Sequence, residues 1–314
     1  MLKCKFCSKP PDVYVSYARL YLCRDHFIRF YEKRILKVMK KMNIRNMRLL
    51  IAVSGGKDSL ALLKALDSLK ATLNLDLSAI FIDLGIPRYS DISKKLVKEA
   101  CRKLDVNLII YDIKKELGYS IPELVSIIKN RPCSVCGIVK RWVLNKIAIE
   151  ENFDYIATGH NLDDFSTLVY RLLLTQQLDQ IKRFLSYKLP PNHEVNMAGR
   201  IRPQIYVRER DNLLYCIFNN IEFVDIECPL AKGRESQIFY KELWNEIINR
   251  NPSAQINFVK SLMKLMKHYP EEPINIKKCK KCGFPTAAED SICVYCKISN
   301  KFYERKRQKS ILPK

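Results

Sequence analysis

Two kinds of residue in this 314-residue sequence could do chemistry: one glycine-rich loop and a large set of cysteines. The loop is "SGGKDS", Ser54 to Ser59, between the apolar run "RLLIAV" and the helical pattern "LALLKAL". Ser54, Gly55, Gly56 and Ser59 are small enough for backbone N–H groups to approach an anion, and the start of a helix favours negative charge. The common ATP-binding loop GxxxxGK[ST] does not fit, because Ile51 stands at its first glycine and Asp58 follows Lys57. An anion site with a carboxylate inside it is the expectation.

Ten of the 12 cysteines fall into three groups. Cys4-x2-Cys7 with Cys23-x2-His26, and Cys279-x2-Cys282 with Cys293-x2-Cys296, have the paired spacing of tetrahedral structural Zn²⁺ sites. Modules of ~20–25 residues cannot fold on a core of their own, so two Zn²⁺ are expected to stabilise them. The third group, Cys133 and Cys136 in "RPCSVCG", has no nearby second pair. A redox or persulfide-carrying pair and a remnant zinc knuckle are both open. Adding Cys228 of "DIECPL" gives three thiolates with one open position, the donor set of a [4Fe–4S] cluster able to bind an exogenous sulfur. Cys101 and Cys216 lie in apolar helical stretches and are read as core residues.

An α/β, doubly wound parallel sheet must position these groups. Strands are expected at 48–53, 77–83, 106–112, 154–158 and 221–226 ("IEFVDI"). Helices are expected at about 58–71, 90–104, 121–129, 137–151, 162–174 and 209–219, with further helical segments at 235–268. Residues 175–208 read as an excursion or mobile loop. The domains follow as 1–27, an N-terminal zinc module; 28–46, a basic linker helix; 47–270, the catalytic domain; and 271–314, a C-terminal zinc module and basic tail. Fifty-five Lys and Arg against 33 Asp and Glu imply a polyanionic partner. Residues 277–314, the most basic end, are the first candidate to hold RNA. No apolar run is long enough to span a bilayer and the start lacks a signal peptide's core, so no membrane is involved and a cytoplasmic site is expected.

The loop matches SGGxDS, the signature of the pyrophosphate-loop (PP-loop) ATP pyrophosphatases. With "PCSVCG", "ATGHNLDD" and "ECPLAKG" in order and a Cys-rich module at each end, the chain resembles the tRNA 2-thiouridine synthetases of that superfamily. The resemblance implies ATP, Mg²⁺ and tRNA. Ser54, Gly55, Gly56 and Ser59 would bind the leaving pyrophosphate, Lys57 would offset its charge, and Asp58 would hold Mg²⁺. Adenine would sit near Ile80 and the nucleotide would pass Gly159. Cys133, Cys136 and Cys228 would hold the cluster, Lys140 would contact ATP and act catalytically, and Asp163 or Asp164 would be the acid/base or Mg²⁺ ligand. His160 is either a contact or a packed core histidine.

The expected reaction adenylates the C2 oxygen of a tRNA uridine, releases pyrophosphate, and replaces that oxygen with sulfur. "ECPLAKG" and "NPSAQINFVKSLMK" resemble the position-54 subfamily more than the wobble-uridine (34) one, while "DDFSTLVYRLL" departs from its pattern. The resemblance also implies a ubiquitin-like thiocarboxylate protein or free sulfide as donor, and a homodimer. The competing readings are a wobble-uridine enzyme, a cluster-free enzyme using a persulfide on Cys133 and Cys136, and a non-enzymatic RNA-binding protein built on zinc modules.

Overall fold

The computed structural model describes residues 2–128, 130–231, 235–269 and 275–311. The N-terminal module is a short hairpin, β1 (Val13–Val15) with β2 (Leu20–Leu22), leading into α1 (Arg24–Lys41). In α1 the buried residues Phe27, Tyr31, Ile35, Val38 and Met39 repeat at helical spacing, one apolar stripe under an otherwise basic surface. The helix expected to be a linker thus packs as core, against the helices that follow the phosphate loop.

The chain then alternates: β3 (Met47–Ala52), α2 (Lys57–Leu73), β4 (Leu75–Asp83), α3 (Tyr89–Leu104), β5 (Asn107–Asp112), α4 (Ile113–Leu117), α5 (Ile121–Ile128), α6 (Pro132–Glu150), β6 (Tyr155–Thr158) and α7 (Leu162–Leu174). Next come α8 (Leu178–Leu185), β7 (Lys188–Leu189), β8 (Gly199–Ile201), α9 (Glu209–Phe218), α10 (Glu235–Arg250) and α11 (Ala254–Leu265). A second small hairpin, β9 (Lys277–Lys278) with β10 (Pro285–Thr286), precedes α12 (Val294–Ile311).

The six-stranded sheet runs β5-β4-β3-β6-β8-β7, parallel except for the antiparallel edge strand β7. Both faces are covered, as a parallel sheet requires. Along β3, Leu49 and Ile51 face the cluster containing α1, α2 and α9, whereas Leu50 faces the cluster containing α5, α6 and α12. The chain builds outward from β3 through β4 to β5 and returns to the other side of β3 at β6. The crevice between the carboxyl ends of β3 and β6 is therefore the switch point at which this architecture binds ligands. None of the described helices is long and apolar enough to cross a membrane.

Four of the five expected strands form. "IEFVDI" does not: residues 221–226 are irregular, with Ile221 and Phe223 packed against the α2-side core and the Val224 N–H donating to Gly55 O at 2.8 Å. The position beyond β6 goes instead to β8, from the segment read as an excursion. Its three residues, preceded by "LPPNHE", carry too little alternation to be seen. The segment 221–226 alternates because it lies with one face on the core, yet its backbone seals the phosphate loop rather than joining the sheet. Helix α6 begins at Pro132, earlier than expected, because proline suits the first helical position, where its missing N–H costs nothing. The C-terminal tail is helical through 311 and docked, with buried Phe302 against Tyr119, the Tyr303 hydroxyl donating to Leu117 O, and Arg305 donating to Ile127 O. The "YPEEP" linker and the Lys-Gly-Arg of "ECPLAKGR" fall largely outside the described residues.

Gly199 sets how closely β8 approaches β6, since a Cβ there would lie 2.5 Å from the Tyr155 ring. Gly199→Ala is expected to lower the thermal unfolding midpoint, with overpacking costing about 1–3 kcal/mol; an unchanged midpoint would show that the edge of the sheet adapts freely.

Candidate functional site

The phosphate loop is a self-bonded turn. The Ser54 N–H donates to Ser59 Oγ at 3.1 Å, and the Ser59 hydroxyl donates to Gly56 O at 3.0 Å. Gly55 has φ +85, and a Cβ on it would press on Ser93 at 3.1 Å, so a side chain is excluded twice over. Gly56 is the N-cap of α2 and offers no side-chain acceptor, which leaves the first N–H groups of the helix facing the crevice.

Asp58 is held by amides. Its Oδ1 accepts from Asn212 Nδ2 at 2.7 Å and from Asn161 Nδ2 at 3.0 Å, while Oδ2 lies 3.5 Å from Lys57 Nζ. Asn212 in turn accepts from Tyr31 of α1 and from Gln204, which also donates to Asp58 O. Lys57 pairs with Glu209 at 2.6 Å, and Glu209 with Lys241 at 2.7 Å. Burial opposes the charge on Lys57, yet Asp58 and Glu209 outweigh it and raise its pKa.

The loop after β6 closes the other side. Gly159 approaches α2 so closely that a Cβ would lie 3.1 Å from the Asp58 backbone. Asn161 caps α7 by accepting from the N–H groups of Asp163 and Asp164, and Asp164 returns the bond to the Asn161 N–H, a capping box. Asp163 accepts from the Glu209 N–H and from Gln255. Burial raises the pKa of Asp164 to about 6, against the Asn161 N–H, which lowers it, with the charge of Asp58 adding to the rise. A neighbouring pair of carboxylates suits a divalent cation bound by hard oxygen donors, and Asp58 Oδ2 is the oxygen no amide occupies. Ile80 lies in register with Ala52 and its O accepts the Val53 N–H; its side chain is core, and β4 continues to Asp83. His160 bonds the Thr158 hydroxyl at 2.9 Å; its ring edge meets solvent, but enclosure by protein, then Arg202, Arg141 and Lys140, push its pKa down to about 4.

Across the crevice, Cys133 and Cys136 lie three residues apart at the N-terminal end of α6. Cys228 arrives on the segment that Val224 pins to Gly55. Burial raises the Cys136 pKa; Lys140, one turn on, lowers it, and Cys228 and Cys133 raise it. The three cysteines therefore share one neighbourhood as a looser trio than the terminal quartets. In those quartets the donor atoms of Cys4, Cys7, Cys23 and His26, and of Cys279, Cys282, Cys293 and Cys296, lie within 4.8 Å of one another. In each, backbone N–H groups outweigh burial and lower one thiol, Cys4 or Cys279, to about 6. Such donor sets fit a tetrahedral thiophilic ion. Cys101 and Cys216 are buried, with burial raising their pKa to about 11 and about 12.

Sequence reasoning missed Asn161, Asn212, Gln204, Glu209 and Lys241. Only Asn161 carried a signal, the N-x-x-D capping pattern; the others are polar residues that periodicity assigns to solvent.

An uncapped helix N-terminus, a carboxylate within the anion loop and a switch-point crevice define a PP-loop nucleotide-binding protein. The PP-loop domain family matches residues 29–228, and the family described as "2-thiouridine synthetase TtuA, N-terminal LIM domain" matches residues 3–28. The chain is 32% identical over 314 residues to the tRNA-5-methyluridine(54) 2-sulfurtransferase of Thermus thermophilus, covering 99% of this chain and 95% of that one. It is 33% identical to the protein of that name from Thermotoga maritima, covering 98% and 99%. Among solved structures, the U34-tRNA thiolase NcsA from Methanococcus maripaludis, with its [4Fe-4S] cluster, shares the fold at TM-score 0.82 and 24% identity, covering 96% of both chains. The chain belongs to the PP-loop family of tRNA 2-thiouridine synthetases, and it is an enzyme of the sulfurtransferase class.

Because the folded state holds the Asp164 proton to about 6, this group's contribution to stability declines as pH rises from its unfolded value, about 3.9, through 6. Asp164→Asn keeps the cap and removes the titration. The wild type should lose stability relative to the variant across that window in thermal melts without nucleotide; parallel pH profiles would refute the shift.

Proposed function

We propose that the protein activates the C2 oxygen of a tRNA uridine with ATP and exchanges it for sulfur. The observation that supports this best is the shared edge of the sheet. The anion loop, the Asp58 and Asp164 carboxylates, Lys140 and the Cys133, Cys136 and Cys228 thiols all flank the β3–β6 crevice.

Uracil O2 is a poor leaving group, so its attack on the α-phosphate of ATP, with loss of pyrophosphate, makes C2 open to sulfur. The N–H groups of α2 and Lys57 would receive the pyrophosphate as its charge develops. Lys57 must then exchange Glu209 for phosphate oxygens, which Lys241 permits by keeping Glu209 paired. Asp58 Oδ2 and Asp164 would hold Mg²⁺, and the nucleotide would pass Gly159, whose lack of a side chain lets the loop after β6 close on the Asp58 backbone. Cys133, Cys136 and Cys228 would hold a [4Fe–4S] cluster, which supplies an iron position for the incoming sulfur. Lys140 would oppose negative charge at C2 and at the α-phosphate. The donor would be a ubiquitin-like thiocarboxylate protein or sulfide, and the terminal quartets would hold Zn²⁺.

The tRNA would lie on paired basic helices. Arg34, Lys37 and Lys41 of α1 stand beside Lys260 and Lys264 of α11, and burial with these four cations lowers the Lys260 pKa. Lys41 lies over the Tyr187 ring at 5.3 Å and Lys260 over Tyr206 at 5.6 Å, combining charge with aromatic surface. Uridine 54 is the preferred target, because relatives bearing that name match nearly the whole chain.

Purified protein loaded with iron and sulfide is expected to convert Mg-ATP to AMP and pyrophosphate in step with thiolation. Mass spectrometry of the tRNA nucleosides should show 2-thioribothymidine; a thiolated wobble uridine would overturn the position. Cys133→Ser, Cys136→Ser or Cys228→Ser should each lower turnover at least about 100-fold with iron content reduced. Full activity in iron-free wild type would instead favour a persulfide on Cys133 and Cys136.

A further inference from the structure

Two neighbouring guanidinium groups, Arg141 beside Cys136 and Arg200 beside Arg141, have no carboxylate to pair with among the described residues. Arg200 lies in the middle of β8, opposite Ile156 of β6 and Leu189 of β7. Strand alternation puts it on the same face as Ala198, which packs in the α6-side core with Ile156. Its charged neighbour there is Arg141 of α6. Arg141 lies back along its own helix at the rim, over Gly137, where a Cβ would be 3.3 Å from Nη1; the glycine makes room for it beside Cys136. Among the described residues, neither guanidinium has a carboxylate in ion-pairing range or a hydrogen-bond acceptor. Arg202 is different: it donates to Phe184 O and Ser186 O at 2.8 and 2.7 Å and lies over Phe165 and Phe184.

Half-burying a cation against another cation is unfavourable unless an anion joins them. The guanidinium fork matches the tetrahedral oxygens of a phosphate and holds them bidentately. In the proposed reaction the pyrophosphate end of ATP would lie on the opposite face of the sheet, at the α2 N-terminus. A base drawn from its stack toward the thiols brings its own backbone phosphates to the α6 side.

We propose that Arg141 and Arg200 form a phosphate site that holds a tRNA phosphodiester next to the target nucleotide. This rests on the reading that RNA enters the β3–β6 crevice. The α-phosphate of the nucleotide offers the same chemistry, and the two sources separate experimentally.

Arg200→Ala, Arg200→Lys and Arg141→Ala are compared with the wild type for tRNA binding against salt, for Mg-ATP binding, and for thiolation, with thermal melts confirming folding. The alanine variants should bind tRNA about three- to tenfold more weakly, with the salt slope reduced by about one, and bind Mg-ATP unchanged. Arg200→Lys should restore the slope but not the full affinity, because charge returns without the fork. Arg141→Ala, at the exposed rim, carries the test should Arg200→Ala not fold. Weakened Mg-ATP binding with normal tRNA binding would overturn the proposal and give the pair to the nucleotide; unchanged binding of both would overturn a phosphate site altogether. If the wild type thiolated nothing yet these tRNA effects appeared, the reaction would fall and the phosphate site would stand.

Discussion

Every part of the site depends on one shared acceptor, Asp58 Oδ1, which takes hydrogen bonds from Asn161 and Asn212 at once. A carboxylate two residues into a helix would ordinarily turn to solvent or favour its own N-terminus. Here two amides from distant loops fix its rotation and leave the second oxygen free. The same bonds tie four elements together, since Asn161 caps α7, Asn212 lies in α9, Gln204 bridges to the α2 backbone, and Tyr31 brings in α1. In a buried network of this kind each bond is strengthened by the low dielectric, and losing one member strips its neighbours of a partner. Positioning of the catalytic edge and docking of the N-terminal helix are therefore one interaction.

That coupling explains the place of the terminal modules. The N-terminal quartet ends at His26, in the first turn of α1, so an ion there would fix the start of the helix whose Tyr31 completes the Asp58 network. The C-terminal quartet begins α12, which packs on α5 and α6 through Phe302 and Arg305. Trp142 of α6 stacks on Tyr295, beside Cys296, with ring centroids 4.0 Å apart. One module thus braces the α2 face and the other the α6 face. Neither is an appendage mechanically.

The parallel sheet was legible because buried strands leave continuous apolar runs and their crossover helices leave 3.6-residue periodicity. The phosphate loop and both quartets were legible because their chemistry demands fixed residue types at fixed spacing. What escaped notice shared a different property. Strand β8 is too short to alternate, 221–226 alternates without pairing, and Asn212 and Gln204 are polar yet almost wholly buried. Pattern reading assumes polar residues face water, an assumption that fails where polar groups satisfy one another inside. The site's acceptors and donors were therefore the least visible residues. Lys57 shows the same limit: its charge was evident, its tether to Glu209 was not.

The two faces of the sheet also divide the chemistry. Helix α2 and its carboxylates lie on one face, and α6 with its thiols on the other; both start at the same edge, flanking β3 and β6. In the proposed reaction the oxygen to be adenylated and the carbon to be thiolated are adjacent atoms of one base, so activating and sulfur-bearing groups would converge on it from opposite sides. A switch point supplies that geometry, since α2 leaves β3 on one face while α6 leads into β6 from the other. The segment 221–228 crosses this gap, bonded to Gly55 at Val224 and carrying Cys228 to the thiol side. It gives up a place in the sheet for that crossing. A sixth parallel strand at 221–226 would have been more regular, but it would have left the phosphate loop and the third thiol unconnected.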